Sequence, residues 1–106
     1  MKSTHMVIVY TGGHAVYYGA LCQKSGSLLA TGADVLRLAL DLDLISHNQA
    51  HSLWSRLWRH APDEYTVVAF MRDLEALLSA YAAPGYEFQP WFAHGATFWG
   101  WFPRVG

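Results

Sequence analysis

His47 and His51 lie four residues apart, the spacing that sets two imidazoles on one helical face to grip a metal ion. The residues between them are Asn48, Gln49 and Ala50, so the glutamate that serves as general base in such motifs is missing. His14, His60 and His94 stand at no spacing that marks one of them as the third ligand. By helical angle His47 falls within an apolar stripe and His51 at its edge, the ordinary setting of a partly buried histidine. The pair is a weak metal candidate, and neither a metal nor a cofactor is expected.

Cys22 with His14 is the smallest set that could make an activated nucleophile. Eight residues of extended strand between them amount to roughly 25 Å at ~3.3 Å each, too far for direct proton transfer. A buried, inert thiol is the expectation for Cys22. Thr11-Gly12-Gly13-His14 has the glycines of a phosphate cradle, but no helix start with Lys and Ser or Thr follows. A tight turn accounts for both glycines. With no nucleophile elbow and no paired carboxylates, the chain reads as a non-enzyme.

Two binding chemistries remain. The segment from His47 to His60 presents Asn48, Ser52, Arg56 and Arg59 on its polar side, with Gln49 and Ser55 beside them. These residue types contact bases and phosphates when a helix-turn-helix enters a groove, and the preceding helical pattern over 35–45 is nearly contiguous with it. Phosphate contacts supply most of such binding. Seven Lys and Arg against eight Asp and Glu, with Asp41, Asp43, Asp63 and Glu64 close by, make nucleic acid the lesser reading.

The second chemistry lies in the aromatic tail. Residues 86–104 carry two aromatic runs around His94-Gly95, a hairpin pattern. A two-residue turn there pairs Trp91 with Phe98, Gln89 with Gly100 and Glu87 with Phe102 on one side. Phe92 with Thr97, Pro90 with Trp99 and Phe88 with Trp101 then line the other. Only one side can pack on helices, and the side that mixes Glu87 and Gln89 with aromatics is the one expected outside. Trp91, Phe98 and Phe102 are of the types that anchor protein interfaces, with Gln89, Glu87 and Arg104 as polar partners and rim. Arg104 is the only base from Tyr86 onward, which suits a protein partner, or a second copy of the chain in a homodimer, better than stacked nucleotides. A small inhibitor or adaptor of the kind phages and mobile elements encode has this profile.

The elements that must hold these residues follow from periodicity. Val7 to Tyr10 and Ala15 to Cys22 flank the paired glycines, a hairpin that sets Val9 against Val16 and Ile8 against Tyr17. Apolar side chains on both of its faces imply a place in the centre of a sheet or under helices. Thr31 to Asp34 reads as a capping box opening a helix over 35–45, in which Arg37 and Asp41 pair across one turn. Ser46 to Gln49 reads as a second box before the stripe Ala50, Leu53, Trp54, Leu57, Trp58 and Ala61. Pro62-Asp63-Glu64 opens a third helix, whose core face is Val67, Phe70, Met71, Leu74, Leu77, Leu78 and Tyr81. Ala69, Ala76 and Ala80 on its flank would let a neighbouring helix approach closely, and Pro84-Gly85 ends it. Pro90 suits an edge strand.

The expected fold is therefore a single α+β domain over residues 6–106, in ββαααββ order. Its small antiparallel sheet of two hairpins packs against a three-helix layer. Residues 1–5, polar and followed by a second methionine, read as a vector-derived scar. A chain of 106 residues and 11.9 kDa has room for one core. A net charge of −1 argues against a generic polyanion binder. One cysteine implies a reducing compartment, and no apolar run reaches the ~18–20 residues that span a bilayer, so the expectation is a cytoplasmic protein with no membrane partner.

Overall fold

The computed structural model describes residues 7–11, 14–24, 26–59, 63–93 and 95–104. Four strands and three helices follow one another as expected: β1 (Val7–Thr11), β2 (His14–Gln23), α1 (Leu28–Asp41), α2 (His47–Trp58), α3 (Glu64–Ser79), β3 (Tyr86–Ala93) and β4 (Ala96–Pro103). The two hairpins join in one antiparallel sheet of order β1-β2-β4-β3, with the helices packed on one face. Val9 faces Val16 and Ile8 faces Tyr17, as the paired glycines require; Gly12 and Gly13 themselves lie outside the described residues.

The first hairpin is not wholly central. β2 is interior, but β1 is an edge, and the run of apolar residues in β2 has another cause. Ala20 pairs with Gly100 and Cys22 with Trp99, so Leu21 is the extra residue of a β-bulge. Gly19, at φ 100°, supplies the left-handed backbone beside it. The bulge breaks the alternation, and Ala20, Leu21 and Cys22 are all buried in succession.

Helix α1 begins one turn earlier than the Thr31 box implies. Ser27 is the cap, its Oγ accepting from the Ala30 N–H at 3.1 Å. Thr31 is instead fully buried inside the helix, its hydroxyl donating to the Ser27 carbonyl at 2.9 Å, and Arg37 pairs with Asp34 rather than with Asp41. The helix also stops earlier than residue 45. Asp43 adopts φ 63°, the Asp43 N–H returns to Leu40 O at 3.0 Å and the Leu44 N–H to Ala39 O at 2.9 Å. That is a Schellman ending with Asp in the position glycine commonly takes, and it turns Leu44 and Ile45 into the core.

Helix α2 carries both halves of its expected box: Ser46 Oγ accepts from the Gln49 N–H at 3.1 Å and Gln49 Oε1 from the Ser46 N–H at 2.9 Å. Ala50, Leu53 and Leu57 are buried, Trp54 is half-buried, and Trp58 is 49% exposed where the stripe was expected to continue inward. Asp63 caps α3, its Oδ1 accepting from both the N–H and the hydroxyl of Thr66 at 2.8 and 2.7 Å. Those two bonds hold the Asp63 carboxyl below its usual pKa.

Phe70, Met71, Leu74 and Leu78 of α3 enter the core as expected, but Ala69, Ala76 and Ala80 are exposed, Ala69 at the border of a groove that Leu53, Arg56 and Leu57 of α2 also line. The close helix approach occurs elsewhere. A Cβ on Gly32 of α1 would sit 2.7 Å from Phe70 Cε2 and 3.0 Å from Met71 Sδ, so this glycine is the contact between α1 and α3. Beyond α3 the chain runs beside β2, the Tyr17 N–H donating to Tyr81 O at 2.8 Å and the Ala83 N–H to Tyr17 O at 3.0 Å. Tyr81 Oη donates to Leu44 O at 2.9 Å, tying this return to the end of α1.

Candidate functional site

The second hairpin has the register expected from its turn: Trp91 opposite Phe98, Gln89 opposite Gly100 and Glu87 opposite Phe102. Gly95 takes φ 75° in the turn, whose other residue, His94, lies outside the described residues. β3 is the sheet edge, where Pro90 is tolerated. Since side chains alternate between faces, Phe88, Trp99 and Trp101 go to the helices and are buried. Trp91, Phe98, Phe102, Gln89 and Glu87 fall on the outer face, and all five are half-buried.

The outer residues are organised among themselves. The rings of Trp91 and Phe102 stack with centroids 5.1 Å apart and planes at 17°. Their ladder positions differ by four residues, so both rings lean over the Gln89–Gly100 pair, where glycine offers no side chain. Gln89 Nε2 donates to Phe102 O at 3.2 Å and to Pro103 O at 2.8 Å. Gln89 is thereby a tie across the hairpin rather than a free amide. Arg104 is exposed at the end of β4, its N–H bonded to Gly85 O at 2.9 Å.

Glu87 borders a hollow of about 280 Å³ between α3 and β3, which Arg72, Glu75, Ser79 and Gln89 also line. Burial, and secondarily the charge of Glu87, push the Glu75 carboxyl above its usual pKa, while Arg72 opposes the shift. Folding thus disfavours the ionised form of Glu75. Its contribution to stability is greatest below the unfolded-state pKa and is lost as pH rises through the raised one. Glu75→Gln should raise the melting temperature near neutrality, and the gain should vanish at about pH 4, as thermal melts at the two conditions will show.

The largest exposed apolar side chains lie elsewhere: Phe92 at 73%, Tyr65 at 85%, Trp58 at 49% and Val68 at 36%. Phe92 belongs to the inward row of β3, yet it sits one residue from the end of an eight-residue strand. Such a strand is roughly 26 Å long, which carries its tip past a helix layer ~10 Å wide per helix. Nearness to the turn was the available signal that its face would be uncovered.

The other candidates separate. His47 and His51 are both exposed, not set into the apolar stripe, because α2 starts at His47 and turns that first residue outward. His51 Nε2 lies 3.3 Å from Ser55 Oγ, and among the described residues no group of three metal-ligating side chains gathers. Asn48, Ser52, Arg56 and Arg59 are all exposed on α2, but Arg56 forms an ion pair at 2.9 Å with Asp73 of α3. Cys22 is fully buried at the far end of β2 from His14. Among the described residues no helix is long and apolar enough to cross a membrane. No family model, no curated protein and no solved structure matches the chain, so the reading of this surface rests on its geometry.

Proposed function

We propose that this domain is a non-enzymatic binding module of the small inhibitor or adaptor type, which takes another protein on the outer face of its β3–β4 hairpin. The observation that carries the reading is the stacked Trp91–Phe102 pair on the sheet face opposite the helices. Its rings are half-exposed and stack on each other, and Gln89 ties the backbone carbonyl of Phe102 beside them. A rigid aromatic pair loses little conformational entropy on binding, so most of the apolar area it buries contributes to affinity. Phe98 extends the anchor, and Glu87 and Arg104 supply charges of both signs at one end of the hairpin.

The partner that fits carries an apolar patch with a base to meet Glu87 and an acid to meet Arg104. A base opposite Glu87 would also ease its repulsion of Glu75. A cytoplasmic setting suits the module, since its single thiol stays reduced there. The nucleic-acid alternative draws no support from α2, where Asp73 already neutralises Arg56.

The test starts with a partner recovered by affinity capture, identified by mass spectrometry and then purified. In calorimetric titration against it, the Trp91→Ala/Phe98→Ala variant should bind about 100-fold more weakly, or about 2.7 kcal/mol, the scale of hot-spot anchors. Its melting temperature should fall by only a few degrees, since both residues are half-exposed. Unchanged affinity in a folded double variant would rule the face out, whereas Arg59→Ala should leave binding intact.

A further inference from the structure

We propose that β1 pairs antiparallel with β1 of a second copy of this chain, joining the two four-stranded sheets into one. β1 is a sheet edge, and the register shows which of its backbone groups face outward. Tyr17 stands opposite Ile8, yet its N–H donates to Tyr81 O and its C=O accepts from the Ala83 N–H, on the side of β2 away from β1. Ile8 and Tyr17 are therefore a pair that exchanges no hydrogen bond, and in an antiparallel ladder such pairs alternate with bonded ones. The N–H and C=O of Ile8, and those of Tyr10 two residues on, point away from β2, and no described strand lies beyond them.

The opposite edge of the sheet is closed to such pairing. On β3 the outward positions are Tyr86, Phe88, Pro90 and Phe92, by the same alternation. The Tyr86 N–H donates to Ala83 O and the Phe88 N–H to Ser79 Oγ, both at 2.9 Å, and Pro90 has no N–H to offer. β1 carries no such protection: Val7-Ile8-Val9-Tyr10-Thr11 holds neither a charge nor a proline, and every residue is β-branched or aromatic. What it presents is a row of donors and acceptors at strand spacing, so its occupant is an extended strand. Self-complementarity identifies which strand. A two-fold axis at Val9 sets Ile8 of each copy opposite Tyr10 of the other, and each pair exchanges both of its bonds, which satisfies the outward groups of both residues at once. With no charge in β1, no like charges meet across the axis. The axis runs perpendicular to the joined sheet, so the helices of both copies lie on one face and the outer faces of both β3–β4 hairpins on the other. The pairing does not rest on the role proposed for that hairpin face.

Light scattering after size-exclusion chromatography, from micromolar to sub-millimolar concentration, should give a mass approaching twice 11.9 kDa. Across the same range the Ile8 and Tyr10 amides should slow by about tenfold in hydrogen exchange, while the Phe92 amide on the other edge keeps its rate. Tyr10→Pro removes an outward donor without touching the β1–β2 ladder, because the Tyr10–Ala15 pair exchanges no bond, the placement β3 already accepts at Pro90. It should lower the melting temperature by only a few degrees and raise the dimer dissociation constant by about 100-fold. The exchange experiment needs only the parent chain, so it decides the matter whether or not Tyr10→Pro folds. A monomer at every concentration would overturn the proposal, as would a dimer whose Ile8 and Tyr10 amides exchange as fast as in the dilute chain. A dimer lost in Trp91→Ala/Phe98→Ala but kept in Tyr10→Pro would overturn it too, by placing the second copy on the sheet's outer face.

Discussion

Trp101→Ala should remove about 3–5 kcal/mol of this domain's stability, read as a lowered urea midpoint. Trp101 is fully buried, with its ring 5.0 Å from Tyr17 and 5.1 Å from Phe88, and its Nε1 donates to Leu78 O at 2.7 Å. Truncation of such a side chain costs about 3–5 kcal/mol, against a total stability of about 5–15 kcal/mol for a single domain. Trp101→Phe separates packing from hydrogen bonding. It keeps most of the ring contact but removes one of two donors to the Leu78 carbonyl, which retains the Tyr81 N–H at 3.1 Å, at a cost of about 1 kcal/mol. Trp99 is the matched control two residues away. It is also buried, though slightly less, and its Nε1 has no hydrogen-bond partner among the described residues. Trp99→Phe removes an unpaired donor together with some volume, so it should cost less than Trp101→Phe in urea unfolding. Equal costs would show that the Leu78 bond does not distinguish the two indoles.

Gly100→Ala should be nearly as damaging, although adding a methyl group to a glycine ordinarily stabilises a chain by restricting its unfolded state. A Cβ at Gly100 would lie 2.7 Å from Ala20 Cα and 2.8 Å from Leu21 N, with the Gly19 carbonyl nearer still. These are backbone atoms of the β2 bulge, so no rotamer change can clear them. The substitution must open the β2–β4 ladder or flatten the bulge, at an expected cost of about 3 kcal/mol. Opening that ladder also moves Trp91 and Phe102, which lean over the same position. The urea midpoint should fall with an unchanged slope; a midpoint within error of the parent would show that β2 does not approach β4 this closely.

Where local chemistry decides an element, the sequence was sufficient. Two-residue turns expected at Gly12-Gly13 and His94-Gly95 foretold both hairpin registers, because turn length fixes which residues face each other. Ser46 and Gln49 fixed the start of α2 in the same way. The alternation of Phe88, Trp99 and Trp101 with Trp91, Phe98 and Phe102 distinguished the buried face of the tail from the open one.

Long-range packing was less legible. Ser27 and Thr31 are both of a residue type that caps helices and lie one turn apart, but only Ser27 caps α1, a choice that local pattern alone did not make. Asp43 ends α1 with a positive φ that glycine would have announced and aspartate does not. Gly19 inside a strand pattern did mark the bulge, but not its effect on Leu21 and Cys22, which depends on the partner strand. Ala69, Ala76 and Ala80 carried the signal of a close helix contact, yet all three are exposed, and only Ala69 among them borders the groove between α2 and α3. For the candidate site, residue types named the anchors. They did not foretell that Trp91 and Phe102 would stack or that Gln89 would tie the hairpin, since both involve side chains reaching along the strands to non-paired neighbours.

We propose that another protein binds on the outer face of the β3–β4 hairpin. Side-chain oxidation footprinting of the domain, alone and saturated with its captured partner, reads that face directly. Trp91, Phe98 and Phe102 should lose reactivity on binding, with Tyr65 and His51 unchanged between the two states. Protection on α2 or α3 with the hairpin rings still reactive would contradict the claim.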